Sequence, residues 1–274
     1  MVRIVVDSTA DLRPETRKRV SVVPLTVSFG KEEYVDGVTL SAAAFYKKLE
    51  TCRDLPTTSQ AAPYAFGDAF EQAVEAGEEV VAIVVSGGLS GTCQSANIAA
   101  ADYPGKVHVV DSRSIAIGLS ILTEYALELA DRGMTAAEIA AELEAVKEKV
   151  RLFAVVDTLE YLQRGGRVSK TVAIAGGMLS VKPIIALEDG VIKMAGKARG
   201  NKQANAQMDA MVQKLGIDWD KPCMLGYTGT DDELLGKYRA QSEIWTGDVH
   251  SSIVSGVVGT HAGPGAVAVA FFSK

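Results

Sequence analysis

"EEVVAIVV" (residues 78–85) runs without a break into "SGGLSGT" (86–92) and then "CQSANIAAADY" (93–103). The unbroken apolar run 80–85 shows no alternation, which describes a strand buried on both faces, as in a parallel sheet covered by helices. The Gly and Ser residues that follow therefore sit at a strand-to-helix handover. Such a turn can cradle a phosphate, aim a nucleophilic serine, hold another anion or simply close a tight connection.

Working outward, the same grammar repeats. "RIVVD" (3–7) and "VSVVPLTVSF" (20–29) read as strands, and "SAAAFYKKLE" (41–50) as a helix with Ser41 at its N-cap. "APYAFGDAFEQAVEAG" (62–77) is helical up to Gly77, "KVHVVDS" (106–112) is a strand, and Ile115 to Ala130 form a long apolar helix. "TAAEIAAELEAVKEKV" (135–150) has one narrow apolar stripe, Ile139, Leu143, Val146 and Val150, and belongs on the outside. Strands alternating with helices imply a parallel sheet with crossover helices.

Near Leu152 the pattern changes. "RLFAVVD" (151–157) is a strand, "TLEYLQRGGRVSK" (158–170) a basic turn region, and "TVAIAGGMLS" (171–180) a small-residue helix or loop. "KPIIALEDGVIKMAGKAR" (182–199) reads as a hairpin turning at Asp189 and Gly190. Helices over 200–216 and 231–242 and strands "CMLGYTG", "VHSSIVSG" and "GAVAVAFF" follow, with "GTHAGPG" (259–265) as a turn beside the last strand. The expected fold is α/β in two domains: an N-terminal parallel-sheet domain over 1–151 and a C-terminal domain with a mixed sheet over 152–274, a ligand lying at their junction.

Composition narrows the function. Among 274 residues, 47% are hydrophobic, and 28 Lys and Arg face 34 Asp and Glu for a net charge of -6. That balance excludes a disordered chain and argues against a surface built for the nucleic-acid backbone. Cys52, Cys93 and Cys223 form no CxxC, so neither a disulfide framework nor a zinc cluster is expected. No apolar run approaches membrane-spanning length, and Asp7 falls where a signal peptide would need its apolar core. The expectation is a cytoplasmic protein with no transmembrane segment, no metal and no cofactor.

The turn at 86–92 lacks the lysine of a phosphate-binding loop, and Gly87, Gly88 and Gly91 do not match G-x-G-x-x-G. A nucleophile elbow is nearer, with Ser90 after Leu89 and His261 later in the chain. Yet Thr92 stands where the second glycine of G-x-S-x-G belongs, and no acid is singled out among Asp157, Asp231 and Asp248. A serine esterase using Ser90 and His261 remains the alternative reading, and a helix-capping turn the bland one. A second hydroxyl cluster, Thr57, Thr58 and Ser59 in "PTTSQAAP", precedes a helix, and two such helix starts suit one carboxylate. Asp7, Ser8, Thr9 and Asp11 lie at the end of the first strand, a common ligand position in open sheets but more often a cap, and no role is assigned to them.

Six stretches carry a wider likeness: "DSTADL" (7–12), "TTSQ" (57–60), "SGGLSGTCQSA" (86–96), "LEYLQRGGRVSK" (159–170), "KPII" (182–185) and "GTHAGPGAV" (259–267). Together, and in this order, they resemble the DegV family of bacterial fatty-acid-binding proteins. The resemblance implies a non-catalytic two-domain protein that holds one long-chain fatty acid, its carboxylate near the domain junction and its tail in an apolar tunnel. Some members present that fatty acid to a separate kinase, which makes an acyl phosphate for lipid synthesis. Carried over by motif, Thr58 and Ser90 would contact the carboxylate and His261 complete its hydrogen-bond network, with Ser59 and Gly91 in support. Arg164, Arg167, Lys170, Arg199 and Lys202 match stretches that resemble a kinase-docking face, outside the pocket, where transient contact with a membrane surface is also expected. Ile98, Ile115, Ile117, Leu119 and Leu122, with Ile174, Met178 and Leu179, are the expected tunnel walls. Ala61 replaces the proline usual after "TSQ", and Cys93 a residue often aromatic, so local loop shape departs from the family pattern.

Overall fold

The computed structural model describes residues 1–169, 180–246 and 249–274. The chain begins with β1 (Val2–Asp7), α1 (Pro14–Arg17), β2 (Ser21–Val23), β3 (Thr26–Phe29), β4 (Glu32–Val35), α2 (Ala42–Thr51) and β5 (Thr57–Ser59). It continues with α3 (Pro63–Glu75), β6 (Glu79–Val84), α4 (Thr92–Ala100), β7 (Val107–Asp111), α5 (Ala116–Asp131) and α6 (Ala136–Val146). Then come β8 (Val150–Val155), α7 (Glu160–Arg164), β9 (Val181–Glu188), β10 (Val191–Arg199), α8 (Gly200–Leu215), β11 (Met224–Tyr227), α9 (Glu233–Gln241), β12 (Ser251–Ile253), α10 (Gly256–Ala262) and β13 (Val267–Phe272).

The apolar run is the centre of a parallel sheet ordered β2-β1-β6-β7. Val80 to Val84 are wholly buried. Val81 and Ile83 pack on one face with α5 and α6 residues, and Val80, Ala82 and Val84 on the other with Phe66, Phe70 and Ala96. Helix α6 carries the expected stripe inward through Ile139 and Leu143, and its start is fixed by a Thr135–Glu138 capping box. Ser41 caps α2 by accepting from the Ala44 N–H.

Residues 150 onward build a six-stranded mixed sheet, β10-β9-β8-β13-β11-β12, in which the β9–β10 hairpin turns at Asp189 (φ 51°) and Gly190 (φ 75°). Helix α5 lies between the two sheets, against β1 and β6 on one side and β8, β11 and β13 on the other, so one apolar core runs from Ile4 and Ile83 to Leu152 and Phe272.

Two local readings are corrected. "VSVVPLTVSF" is not one strand: Pro24, which has no N–H to donate, ends β2 in the parallel sheet and frees β3 to pair with β4 and β5 in a separate three-stranded antiparallel sheet. "GTHAGPG" is not all turn, because Gly259 to Ala262 finish α10 and the chain leaves the helix only from Gly263 (φ 70°) onward. Helix α10 packs on α2, β3 and β5, so the C-terminal segment reaches back across the first half.

Candidate ligand-binding site

Along β13 the sequence "AVAVAFF" alternates small and large residues, and strand geometry sends them to opposite faces. Val267, Val269 and Phe271 pack with Phe153 and Val155 beneath Met208 and Val212 of α8. Ala266 and Ala268 point the other way. Ala268 stands opposite Ala154 and Gly226, and Ala154 opposite Ile185, so the face turned toward the parallel sheet is a trough floored by small side chains. Over it lies a cavity of about 230 Å3, far more than the ~10–15 Å3 that one water needs. Leu152, Ala154, Val156, Leu187 and Ile192 supply one wall, Leu25, Val85, Leu89 and Ile115 the wall from the first half, and Val257, Val258 and Ala262 of α10 the side.

The cavity becomes polar at one end, where Thr58, Ser59, Gln60, Ser90, Gly91, Arg167 and His261 line it. A second, open cleft shares Thr58, Arg167 and His261 with it, so these three form the partition between the buried space and the surface. Thr58 comes from β5, which corrects the reading of "TTS" as a helix start: the β-branched threonines extend, pair with β3, and the helix waits for Pro63 at its first turn. Ser90 ends the turn after β6. Its Oγ accepts from the Thr92 N–H at 3.2 Å and lies 2.9 Å from Thr92 Oγ1. Gly91 permits a close approach, since a Cβ there would collide with the Gln60 carboxamide, which itself donates to Ser95 Oγ at 3.0 Å.

His261 sits in the last turn of α10, with Nε2 2.9 Å from Thr58 Oγ1 and the ring against Gly165, where a Cβ would collide with Nδ1. Burial, helped by the Arg167 charge, lowers its pKa from 6.5 to about 4, overriding the helix C-terminus that would favour the cation. The ring is neutral at pH 7. Arg167 donates from Nε to Leu89 O at 3.2 Å and from Nη1 to Gly165 O at 2.6 Å, and burial lowers its pKa. Among the described residues no carboxylate pairs with it. Arg167 thus lines the polar end of the cavity as well as the open cleft, although the resemblance places it outside the pocket.

The remaining expectations divide. Ile115 lines the cavity. Ile117, Leu119 and Leu122 are wholly buried in the core shared by the two sheets and do not line it, Ile117 instead covering Gly226. Ile98 is 55% exposed: α4 turns Thr92, Ser95, Ala96 and Ala99 inward, which leaves residue 98 facing out. Ile174, Met178, Leu179 and Lys170 lie outside the described residues. Arg164 pairs with Glu160 on the rim of the open cleft, and Arg199 and Lys202 are exposed at the start of α8. Ser90 and His261 share no hydrogen bond, Asp157 is paired with Lys182, Asp231 accepts from the Glu233 N–H and Asp248 lies outside the described residues, so an esterase triad is not assembled among the described residues. Gln60 and Thr92 join the site without being expected there: Gln60 follows the hydroxyl cluster in "TTSQ", and the sequence marks Thr92 only as the residue in place of a glycine.

"DSTAD" proves to be a junction. Asp7 accepts from the Thr9 N–H and hydroxyl and from the Val85 N–H, while Ser8 donates to Asp36. Asp11 accepts from the Ser255 N–H at 2.7 Å and Asp36 from the Gly256 N–H at 3.2 Å, so carboxylates of the first half hold the start of the helix that carries His261. Burial pushes the pKa of Asp7 and Asp11 up, and that of Asp36 to about 6. Among the described residues no cluster of three His, Cys, Asp or Glu could hold a metal ion, and no helix is long and apolar enough to cross a membrane.

Comparison with known proteins agrees with this architecture. A protein of Caldanaerobacter subterraneus subsp. tengcongensis named as DegV domain-containing is 37% identical over 281 aligned positions, covering 100% of this chain and 99% of its own. A solved structure described as fatty acid binding of a DegV family protein from Thermus thermophilus superposes with a TM-score of 0.89 at 30% identity, covering 100% and 99% of the two chains. A DegV family protein from Eubacterium eligens, solved loaded with heptadecanoic acid, gives 0.87 at 28% identity over 100% of each chain. The family model of DegV, described as uncharacterised proteins, matches residues 1–274, and the chain belongs to that family.

Proposed function

We propose that this protein binds a long-chain fatty acid non-catalytically, with residues 1–151 and 152–274 as two lobes that enclose the tail between them. The carboxylate rests on Thr58, Ser90 and Arg167, with His261 behind Thr58, and the tail runs over Ala154 and Ala268 toward Leu152, Leu187 and Ile192. One observation carries this reading: an apolar cavity ends at two hydroxyls and a half-buried guanidinium that has no acidic partner among the described residues. A buried charge left alone is costly, and an anionic ligand head supplies the missing partner. Fatty acids bound by the related solved proteins support the same ligand class.

The energetics are adequate. About fifteen methylenes buried at ~0.8 kcal/mol each supply on the order of 12 kcal/mol gross, before ordering and association costs reduce it. Affinity resides in the tail and orientation in the head. Because Thr58, Arg167 and His261 also line the open cleft, the carboxylate lies next to solvent, where a separate kinase could reach it, with Arg164 on the rim and Arg199 and Lys202 as further docking cations. Lipid extracted from the purified protein and weighed by mass spectrometry tests the reading. A stoichiometric fatty acid is expected; an empty protein that also ignores added hexadecanoic acid refutes it.

A further inference from the structure

The two hydroxyls that meet the ligand head are not free to orient as they please. Thr92 is wholly buried, and its hydroxyl accepts from the Ala61 N–H at 3.4 Å. Its own hydrogen needs an acceptor, and among the described residues the only one in reach is Ser90 Oγ at 2.9 Å. Ser90 Oγ already accepts from the Thr92 N–H. With two incoming hydrogen bonds its lone pairs are filled, and its hydrogen can only point away from the turn.

The same logic applies across the cavity. His261 Nδ1 is buried without a hydrogen-bond partner and faces Gly165 along the direction a Cβ would take, which in glycine is a Cα–H bond. A ring lone pair tolerates that C–H. A ring N–H would be a buried donor with no acceptor, the costlier defect. The proton therefore sits on Nε2, donates to Thr58 Oγ1, and leaves the Thr58 hydrogen to be given elsewhere.

We propose that Thr92 is a positioning residue which, with the Nε2–H tautomer of His261, fixes Ser90 and Thr58 as donors into the cavity, so that the head site accepts a carboxylate and rejects an alcohol or primary amide of the same chain length. A carboxylate only accepts, whereas an alcohol or amide brings hydrogens for which Ser90, Thr58 and Arg167, all aimed as donors, offer no acceptor. The proposal rests on the fatty-acid reading for its ligand, but the tautomer and the Thr92 relay are properties of the unliganded protein.

The test has two arms. In long-range proton–nitrogen correlation spectra of 15N-labelled, delipidated protein at pH 7, with His261 assigned by its loss in His261→Asn, an Nε2–H tautomer is expected; an Nδ1–H tautomer or an imidazolium overturns the proposal, whatever the protein binds. In titrations with hexadecanoic acid and hexadecan-1-ol, Thr92→Val is expected to weaken acid binding about three- to tenfold and narrow the acid-to-alcohol preference, as lost orientation would. Thr92→Ser restores both. In a Ser90→Ala background Thr92→Val is expected to cost nothing further, because it acts through Ser90. Equal losses in both backgrounds, with melting temperatures lowered alike, would make Thr92 a packing residue and sink the relay. Absence of any acid binding by the wild type would refute the fatty-acid reading while leaving the spectral arm to decide the tautomer.

Discussion

The two sheets are made of the same kinds of residue and use them differently. In the parallel sheet, Val80 to Val84 spend both faces on packing, with α5 and α6 on one side and α3 and α4 on the other. In the mixed sheet one face packs in the same way on α8, through Phe153, Val155, Val269 and Phe271. The other is floored by Ala154 and Ala268 and faces a cavity. A sheet gains a cavity wall here because small residues stand side by side on its face, Ala268 on β13 with Ala266 just before that strand, and Ala154 opposite Ala268 on β8. Packing fills the sheet where side chains are large on both faces, and the cavity opens where they are large on one.

The sharpest way to break that contrast is to change one residue on each side of it. Ile83→Ala in the parallel sheet is expected to cost about 2–5 kcal/mol of stability by opening a void in a filled core, while leaving fatty-acid affinity unchanged where the protein is still folded. Denaturant titration with and without ligand checks this. Ala268→Phe is expected to do the reverse. Displacing even four methylenes of a bound tail forfeits about 3 kcal/mol, at least a hundredfold in affinity, with no drop in melting temperature because the ring fills existing space. If it unfolds the protein instead, the trough is ordinary core.

At the polar end the expected effects are smaller. Ser90→Ala or Thr58→Ala removes one hydrogen bond to a charged head and should weaken hexadecanoic acid by roughly 1.5 to 3 kcal/mol, about ten- to a hundredfold, with the double change less than additive. A loss of about 1 kcal/mol in stability with affinity unchanged would instead make Ser90 a cap alone.

Two buried groups titrate in opposite senses over one pH range. His261, lowered to about 4, contributes stability that is complete above pH 6.5 and lost as pH falls through 4. Asp36, raised to about 6, contributes stability that is complete below pH 3.8 and lost as pH rises through 6. Between pH 4 and 6.5 the stability advantage of wild type over His261→Asn should therefore grow with pH, and that over Asp36→Asn should shrink. Parallel melts in matched buffers measure both slopes, and a slope of the other sign in either pair contradicts the assigned burial. The smallest expected effect is at Arg199, exposed at the start of α8: its reversal to Glu should leave lipid affinity within twofold, as a surface charge outside the cavity would. Isothermal titration of that variant checks it.

Much of this was legible in the sequence, and the failures have identifiable causes. The run at 80–85 announces a doubly covered strand because burial on both faces removes alternation, and Asp189–Gly190 announces its turn because both positions require positive φ. The alternation in "GAVAVAFF" specifies a strand and no more, since nothing local says that the alanines face a space rather than a neighbour. Ile117, Leu119 and Leu122 fit a tunnel wall in the sequence only through being apolar, a property that core and cavity wall share. The basic stretch that holds Arg167 resembles a docking face as a whole, and only the fold shows this one cation turned toward Leu89. The Gly and Pro residues after His261 suggest a turn, yet Gly256 to Ala262 form a helix whose start is anchored by Asp11 and Asp36 far away in the chain.

The central claim is that a fatty acid lies along the alanine trough with its carboxylate at Thr58, Ser90 and Arg167. A crystal structure of the protein with 16-bromohexadecanoic acid, phased on the bromine, tests it most directly. The account predicts a carboxylate within hydrogen-bond distance of Thr58 Oγ1 and Ser90 Oγ and a bromine peak beyond Ala154 and Ala268, on the Leu152, Leu187 and Ile192 side. A bromine peak beside His261, or a ligand bound away from the space between the two sheets, would contradict it.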